Sequence, residues 1–130
     1  MKPKVLVIDD DAAIRQQLYW SLCDEYDVLT AEDFPSAIRR ATVYEPMVSL
    51  LDLHLPPAAG TSQTGLRILE YLKAHCPFAK VFVVSSEDSA ATQAACYAGG
   101  ADGFLSKPLD VERLRAALRR TTLACQLGAV

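Results

Sequence analysis

The stretch VLVIDDDAAI, residues 5–14, decides the fold, because four branched apolar residues are followed at once by three carboxylates. An apolar run without polar alternation is typical of a strand that helices cover on both faces of a parallel sheet. Three adjacent like charges repel one another, so we expect a cation to neutralise Asp9 and Asp10. The stretch therefore predicts a buried first strand with an acidic carboxyl end.

The remainder of the chain repeats this order of elements. Apolar runs of strand length recur in YDVLTA, MVSLLDL, KVFVVSS and GFLS, and a segment of helical period follows each of them. Strands that alternate with helices predict an α/β fold with a parallel sheet between two helical layers. With 130 residues, the chain suits a single domain.

Composition excludes several classes of protein. The chain is 51% hydrophobic and carries a net charge of −3, which argues against nucleic-acid binding through a general basic field. No apolar run has the length of a membrane span or of a signal peptide, so we expect a cytoplasmic protein without membrane contact. Four cysteines show no metal-ligand spacing, and we interpret them as reduced packing residues.

Five polar residues stand at the predicted carboxyl ends of strands, where open α/β sheets bind ligands. They are Asp9, Asp10, Asp52, Ser85 and Lys107. Converging carboxylates would raise one another's pKa unless a cation lay among them, and hard oxygen ligands favour Mg²⁺. A carboxylate beside such a metal can accept a phosphoryl group, while an ammonium and a hydroxyl stabilise the phosphoryl oxygens.

Four motifs, VLVIDDD, LLDLHLP, VFVVSSE and GADGFLSKPLD, resemble the receiver domain of bacterial two-component response regulators. The similarity extends from about Lys4 to Leu118. It implies a doubly wound, flavodoxin-like fold with a five-stranded parallel sheet in the order 2-1-3-4-5. It also implies a signalling phosphoprotein that is not an enzyme.

The resemblance assigns a role to each site residue. Asp52 is the phosphoacceptor, Ser85 the hydroxyl switch and Lys107 the lysine that pairs with phosphate. Mg²⁺ would be held by Asp9, Asp10, Asp52 and the backbone carbonyl of His54.

The same resemblance implies a switch and a set of partners. Phosphorylation would draw the Ser85 hydroxyl inward, let Phe104 rotate into the vacated space, and change the surface of helix 4, strand 5 and helix 5. The Lys107–Pro108 peptide would be cis. A sensor histidine kinase or a phosphotransfer protein would donate the phosphoryl group, and a homodimer formed on activation is a further expectation.

Some alternatives stay open at this point. A receiver-like docking module that works without phosphorylation is the alternative function. A metal-dependent phosphohydrolase of the haloacid dehalogenase type would need a further acidic pair after its lysine, whereas only Asp110 and Glu112, at a probable helix start, follow Lys107. The chain is either a stand-alone receiver or the first domain of a longer regulator.

Three further expectations concern the boundaries and the surface. We place the receiver domain at residues 1–123 and a C-terminal tail at 124–130. About five residues look inserted between Asp52 and Gly65, as a lid over the site or as a tolerated surface insertion. Tyr19 and Trp20 are interpreted as packing residues.

Overall fold

The computed structural model describes residues 2–55 and 63–127, in which five strands alternate with five helices. The strands are β1 (Lys4–Ile8), β2 (Asp27–Ala31), β3 (Val48–Asp52), β4 (Lys80–Ser85) and β5 (Gly103–Ser106). The helices are α1 (Ala12–Leu22), α2 (Phe34–Tyr44), α3 (Gln63–His75), α4 (Ala90–Ala98) and α5 (Val111–Gln126).

All strand pairs are parallel, and the sheet has the order β2-β1-β3-β4-β5. The predicted fold class and strand order are thus confirmed. In register, Asp52 lies opposite Val84, and Ser85 lies opposite Ser106. The carboxyl ends of β1, β3, β4 and β5 therefore share one edge of the sheet.

The sheet separates two apolar cores because alternate residues of each strand point to opposite faces. Leu6 and Ile8 of β1 belong to the core beneath α2, α3 and α4. Val5 and Val7 belong to the core beneath α1 and α5. This burial on both faces explains why β1 reads as a continuous apolar run.

Side-chain caps fix where the helices begin. The Asp11 carboxylate accepts hydrogen bonds from the backbone N–H groups of Ala13 and Ile14, and Asp110 caps α5 in the same way. Ser89 caps α4. A cap of this kind contributes about 1 kcal/mol.

Some expectations differ from the structure. The proposed boundary at residue 123 falls inside α5, which continues to Gln126. Trp20 is 73% exposed and contacts the Tyr19 ring edge to face, so its prediction as a packing residue was wrong. Most of the segment predicted as an insertion, residues 56–62, lies outside the described residues.

Two further observations concern the chain as a whole. Within the described ranges, none of the helices combines the length and the apolar character needed to cross a membrane. All four cysteines are free thiols, and Cys96 is buried in the core under α4.

Candidate functional site

Three aspartates meet at the carboxyl edge of the sheet. One carboxylate oxygen from each of Asp9, Asp10 and Asp52 lies within 4.8 Å of the other two. Asp9 and Asp52 are buried, whereas Asp10 is exposed. The structure therefore brings together the carboxylates that the sequence analysis predicted as the metal site.

Backbone contacts hold the loop that carries the first two aspartates. The Asp9 N–H donates to the carbonyl of Ala31, and the Asp11 N–H donates to Asp9 Oδ1 at 2.9 Å. Arg15 Nη1 donates to the Asp9 carbonyl at 2.7 Å, and its Nη2 lies 3.7 Å from Glu32 Oε2. The loop is thereby fixed from β2 and from α1.

A close approach between α3 and the chain after β3 fixes the position of Asp52. A Cβ atom at Gly65 would come within 2.6 Å of Leu53 Cα, so only glycine fits there without a backbone shift. The backbone N–H of His54 donates to Asp52 Oδ1 at 3.3 Å. Asp52 thus begins a turn against which α3 packs closely.

Lys107 reaches across the site from the end of β5. Its Nζ lies 3.2 Å from Asp9 Oδ2 and 3.6 Å from Asp52 Oδ1. Its backbone N–H donates to the Ser85 carbonyl, and the Lys107–Pro108 peptide is cis, as the resemblance implied. One ammonium therefore stands between two buried carboxylates.

The surroundings of Asp52 raise the pKa of its carboxyl group from the ordinary 3.8 to about 6. Burial is the largest cause, and the negative charge of Asp9 adds to it. Lys107 and the His54 N–H oppose the shift without cancelling it. A single lysine is insufficient for this set of carboxylates, and a further positive group would be favourable here.

Ser85 and Phe104 are the two residues that the sequence analysis assigned to a switch. Ser85 is fully buried, and its Oγ accepts a hydrogen bond from the Glu87 N–H at 3.0 Å. Phe104 is half-buried against the core beneath α4. Ser85 closes β4 next to β3, the strand that ends in Asp52.

Glu87 connects the rim of the site to α4. His54 Nε2 lies 3.0 Å from Glu87 Oε2, close enough for an ion pair when the ring is protonated, but without the alignment of a hydrogen bond. Thr92 Oγ1 of α4 donates to Glu87 Oε1 at 3.0 Å. The His54 side chain thus faces Glu87, while the proposed role of its carbonyl as a metal ligand stays a prediction.

Sequence reasoning missed Arg15 and Thr92. A cation in the first turns of a helix is unfavourable for the helix dipole, and the position of Arg15 was therefore a usable signal. The partner it contacts, the Asp9 carbonyl, is a backbone atom that no sequence pattern identifies. Thr92 gave no signal, although its contact with Glu87 joins residues only five apart in the chain.

The donor set fits Mg²⁺. Hard carboxylate oxygens are the ligands that this ion prefers, and a cation bound here would oppose the effects of burial and of Asp9 that raise the pKa of Asp52. The exposed Asp10 leaves one side of the cluster open to solvent, as an ion that keeps several waters requires.

Comparison with known proteins gives the family. The response regulator receiver domain matches residues 5–119. The chain is 34% identical to the probable transcriptional regulatory protein TcrX of Mycobacterium tuberculosis over 122 residues, which cover 90% of this chain and 50% of that protein. It is 35% identical to KdpE of the same species over 128 residues, covering 95% of this chain and 54% of that protein. The chain therefore spans about half the length of these relatives.

Solved structures agree on the fold. The signal receiver domain of a putative LuxO repressor protein from Vibrio parahaemolyticus superposes with a TM-score of 0.87 at 22% identity, over 99% of this chain and 96% of that one. Vibrio cholerae CheY4 gives a TM-score of 0.83 at 29% identity, over 93% of this chain and 99% of that one. The chain belongs to the receiver domain family of two-component response regulators.

Proposed function

We propose that Asp52 accepts a phosphoryl group from a phosphohistidine of a sensor histidine kinase or a phosphotransfer protein. The observation that carries this proposal is the buried Asp52 carboxylate, which shares one lysine with Asp9 and has a pKa of about 6. At neutral pH this carboxylate is ionised but poorly neutralised, which makes it available as a nucleophile. Receiver domains of this family are generally signalling domains and not enzymes, and we assign this chain no further catalytic activity.

The positions of the side chains support the following transfer step. An Asp52 oxygen attacks phosphorus, an O–P bond forms, and the N–P bond to the donor imidazole breaks with its electron pair returning to nitrogen. Lys107 Nζ, 3.6 Å from Asp52 Oδ1, stabilises the negative charge on the phosphoryl oxygens. The Ser85 hydroxyl donates to another of these oxygens.

Mg²⁺ would be held by Asp9, Asp10 and Asp52, with the backbone carbonyl of His54 as the fourth proposed protein ligand. When bound, it would supply positive charge that neutralises the carboxylates and the phosphoryl oxygens. Receiver domains bind Mg²⁺ at an acidic pocket, and the described aspartate cluster supports the same assignment here.

The phosphorylated chain would signal through its surface. We infer that movement of the Ser85 hydroxyl toward the phosphoryl group lets Phe104 turn inward and alters α4, β5 and α5. A few kcal/mol of preference for the altered state is enough to invert the two populations. A cytoplasmic location is part of the same proposal, because phosphotransfer from a histidine kinase takes place there.

Intact mass spectrometry after incubation with acetyl phosphate and Mg²⁺ tests the proposal. The unmodified chain is expected to gain one phosphoryl group, and EDTA or Asp52→Asn is expected to abolish the gain. Asp27→Asn, which changes an exposed aspartate at the opposite edge of the sheet, serves as the matched control and should still be phosphorylated. A chain that gains no phosphoryl group and does not bind beryllofluoride would instead be a docking module.

A further inference from the structure

β2 forms one of the two outer edges of the sheet, and part of its backbone faces away from β1. The Asp27 N–H donates to the Pro3 carbonyl, so the backbone groups of Asp27 point toward β1. Backbone groups of successive residues in a strand point to opposite sides. The N–H and C=O groups of Val28 and Thr30 therefore lie along the free edge of β2.

The α1 side of this edge carries two exposed aromatic rings. Tyr19 and Trp20 line a cavity of about 200 Å³ together with Thr30 of β2. The two rings contact each other edge to face, with 5.2 Å between their centroids. Aromatic rings that lie in solvent beside a free strand edge are typical of a surface that a partner covers.

The α2 side of the edge is also apolar. Arg40 Nε donates to the Thr30 carbonyl at 2.9 Å, which shows which side of α2 faces the edge. Val43 and Tyr44 follow Arg40 by three and four residues, so they share that side, and both are exposed. Among the described residues, these two and the pair on α1 are four of the eight exposed large apolar side chains.

Two opposite charges lie on the α2 side without pairing. Asp27 has the strand parity of Leu29, which packs against the core beneath α2, so its exposed carboxylate is on that side. Within the described ranges, neither Asp27 nor Arg40 has an ion-pair partner. Thr30, which Arg40 contacts, lies about 10 Å along the strand from Asp27. The two charges therefore do not meet within one chain.

An antiparallel pairing of β2 with its own copy would bring these charges together. In this pairing, Val28 exchanges both backbone hydrogen bonds with Thr30 of the second copy, and a two-fold axis passes through the centre of the strand pair. Asp27 then lies diagonally beside Thr30 of the second copy, whose carbonyl Arg40 contacts. The contact between Asp27 and Arg40 would thus form twice, once on each side of the axis.

The same axis would bring the flanking helices together. It is perpendicular to the sheet, so α1 lies beside α1 of the second copy on one face, and α2 lies beside α2 on the other. Paired strands are about 4.8 Å apart, and packed helices are about 8–10 Å apart. The exposed rings of Trp20 and Tyr44 would fill the space between the paired helices.

We propose that the chain forms a two-fold dimer through the free edge of β2. Charge complementarity favours a second copy over an unrelated extended peptide, because the copy supplies both Asp27 and Arg40 in register. The carboxyl edges of the two sheets point in opposite directions, so both aspartate clusters stay accessible. The dimer therefore requires no phosphoryl group.

Sedimentation velocity over a range of protein concentrations, without a phosphoryl donor, tests the dimer. The unmodified chain is expected to show a monomer–dimer equilibrium that raised salt weakens. Arg40→Asp and Asp27→Arg should each weaken the dimer about tenfold or more, because like charges then meet at both contacts. Arg39→Asp changes the neighbouring exposed arginine by the same charge and should leave the dimer unaffected.

A mixture of the two weakened variants provides a rescue. When Arg40→Asp and Asp27→Arg are combined in equal amounts, both contacts across the axis again join opposite charges. A heterodimer should therefore form at concentrations where each variant alone is a monomer.

Amide hydrogen exchange identifies the surface that is covered. Exchange at Val28 and Thr30 should slow as the dimer forms, because their N–H groups lie on the free edge. Exchange at Leu29, whose N–H faces β1, should change little.

Several results would overturn the inference. They are a monomer at every concentration, equal effects of Arg40→Asp and Arg39→Asp, a mixture that stays monomeric, or unchanged exchange at Val28 and Thr30. A dimer that appears only after treatment with acetyl phosphate would do so as well. Intact mass after that treatment, run on every variant, reports phosphoryl transfer separately and should show one phosphoryl group in each.

Discussion

Two clusters of aspartate and lysine lie at opposite edges of the sheet, and their contact distances are similar. At the carboxyl edge, Lys107 Nζ is 3.2 Å from Asp9 and 3.6 Å from Asp52. At the amino edge, Lys73 Nζ is 2.9 Å from Asp102, and Lys80 Nζ is 4.0 Å away. Distance alone does not distinguish the two clusters.

The balance of charge distinguishes them. At the amino edge, one carboxylate receives two ammonium groups and the Val81 N–H, while Lys73 also donates to the Ala79 carbonyl. At the carboxyl edge, the one ammonium of Lys107 contacts Asp9 and Asp52 within a cluster of three carboxylates, and the pKa of Asp52 rises. A carboxylate whose charge is neutralised by its neighbours stabilises the fold. Carboxylates with too little positive charge beside them favour the binding of a cation.

Replacing each of the two lysines by methionine should give the largest difference in the rate of phosphorylation. Lys107→Met is expected to slow phosphorylation by acetyl phosphate by about 100-fold or more, because it removes the donor aimed at the phosphoryl oxygens. Lys73→Met, the matched control, should retain the rate and lose stability. Stopped-flow or quenched time courses with Mg²⁺ measure both, and equal rates in the two variants would contradict the division between the clusters.

Removing the aspartate at the amino edge should have a structural effect only. Asp102→Ala is expected to lower the free energy of unfolding by about 1 kcal/mol, a value reduced by the partial exposure of its side chain. Phosphorylation of the folded fraction should be unchanged. Urea unfolding and intact mass give the two quantities, and a variant that unfolds normally yet fails to gain phosphate would break the comparison.

The pH dependence of the free energy of unfolding should further distinguish the two clusters. Asp52 binds its proton more tightly in the folded chain, with a pKa of about 6, than at its ordinary value of 3.8. Between these values the folded state holds more protons than the unfolded state, so the contribution of Asp52 to stability falls as pH rises. Asp52→Asn should lack this fall.

Urea unfolding in EDTA at several pH values from about 4 to 7 makes the comparison. The variant should be more stable than the unmodified chain at neutral pH and similar to it at the acid end. Parallel curves for the two proteins would mean that Asp52 titrates normally.

The smallest effect is expected at Arg15, which holds the aspartate loop through a backbone carbonyl. Arg15→Gln should weaken Mg²⁺ binding by up to about tenfold, because the Asp9 carbonyl loses its 2.7 Å contact. Arg40→Gln removes a similar contact, 2.9 Å to the Thr30 carbonyl, away from the site. Calorimetric titration with Mg²⁺ should show a weaker affinity for Arg15→Gln than for Arg40→Gln. Identical affinities would mean that Arg15 does not support the metal site.

The sequence allowed much of this arrangement to be predicted. Continuous apolar runs predicted strands buried on both faces, and the residues after those runs predicted which side chains meet at the carboxyl edge. The helix caps Asp11, Ser89 and Asp110 are residue types that favour a helix start for local reasons that hold in any fold.

The features that could not be predicted depend on tertiary contacts. Trp20 was expected to pack, but its helix position faces solvent in the assembled fold. The domain boundary was placed at residue 123, which lies inside α5, and no proline or glycine before Gly128 interrupts that helix.

The length of β5 connects the two clusters. Four residues, Gly103–Ser106, separate Asp102 at one edge of the sheet from Lys107 at the other. Inserting or deleting one residue would turn each later side chain to the opposite face. Because Asp102 is anchored, such a change would carry the Lys107 ammonium away from Asp9 and Asp52. We therefore expect this strand to tolerate exchanges of its side chains far better than any change in its number of residues.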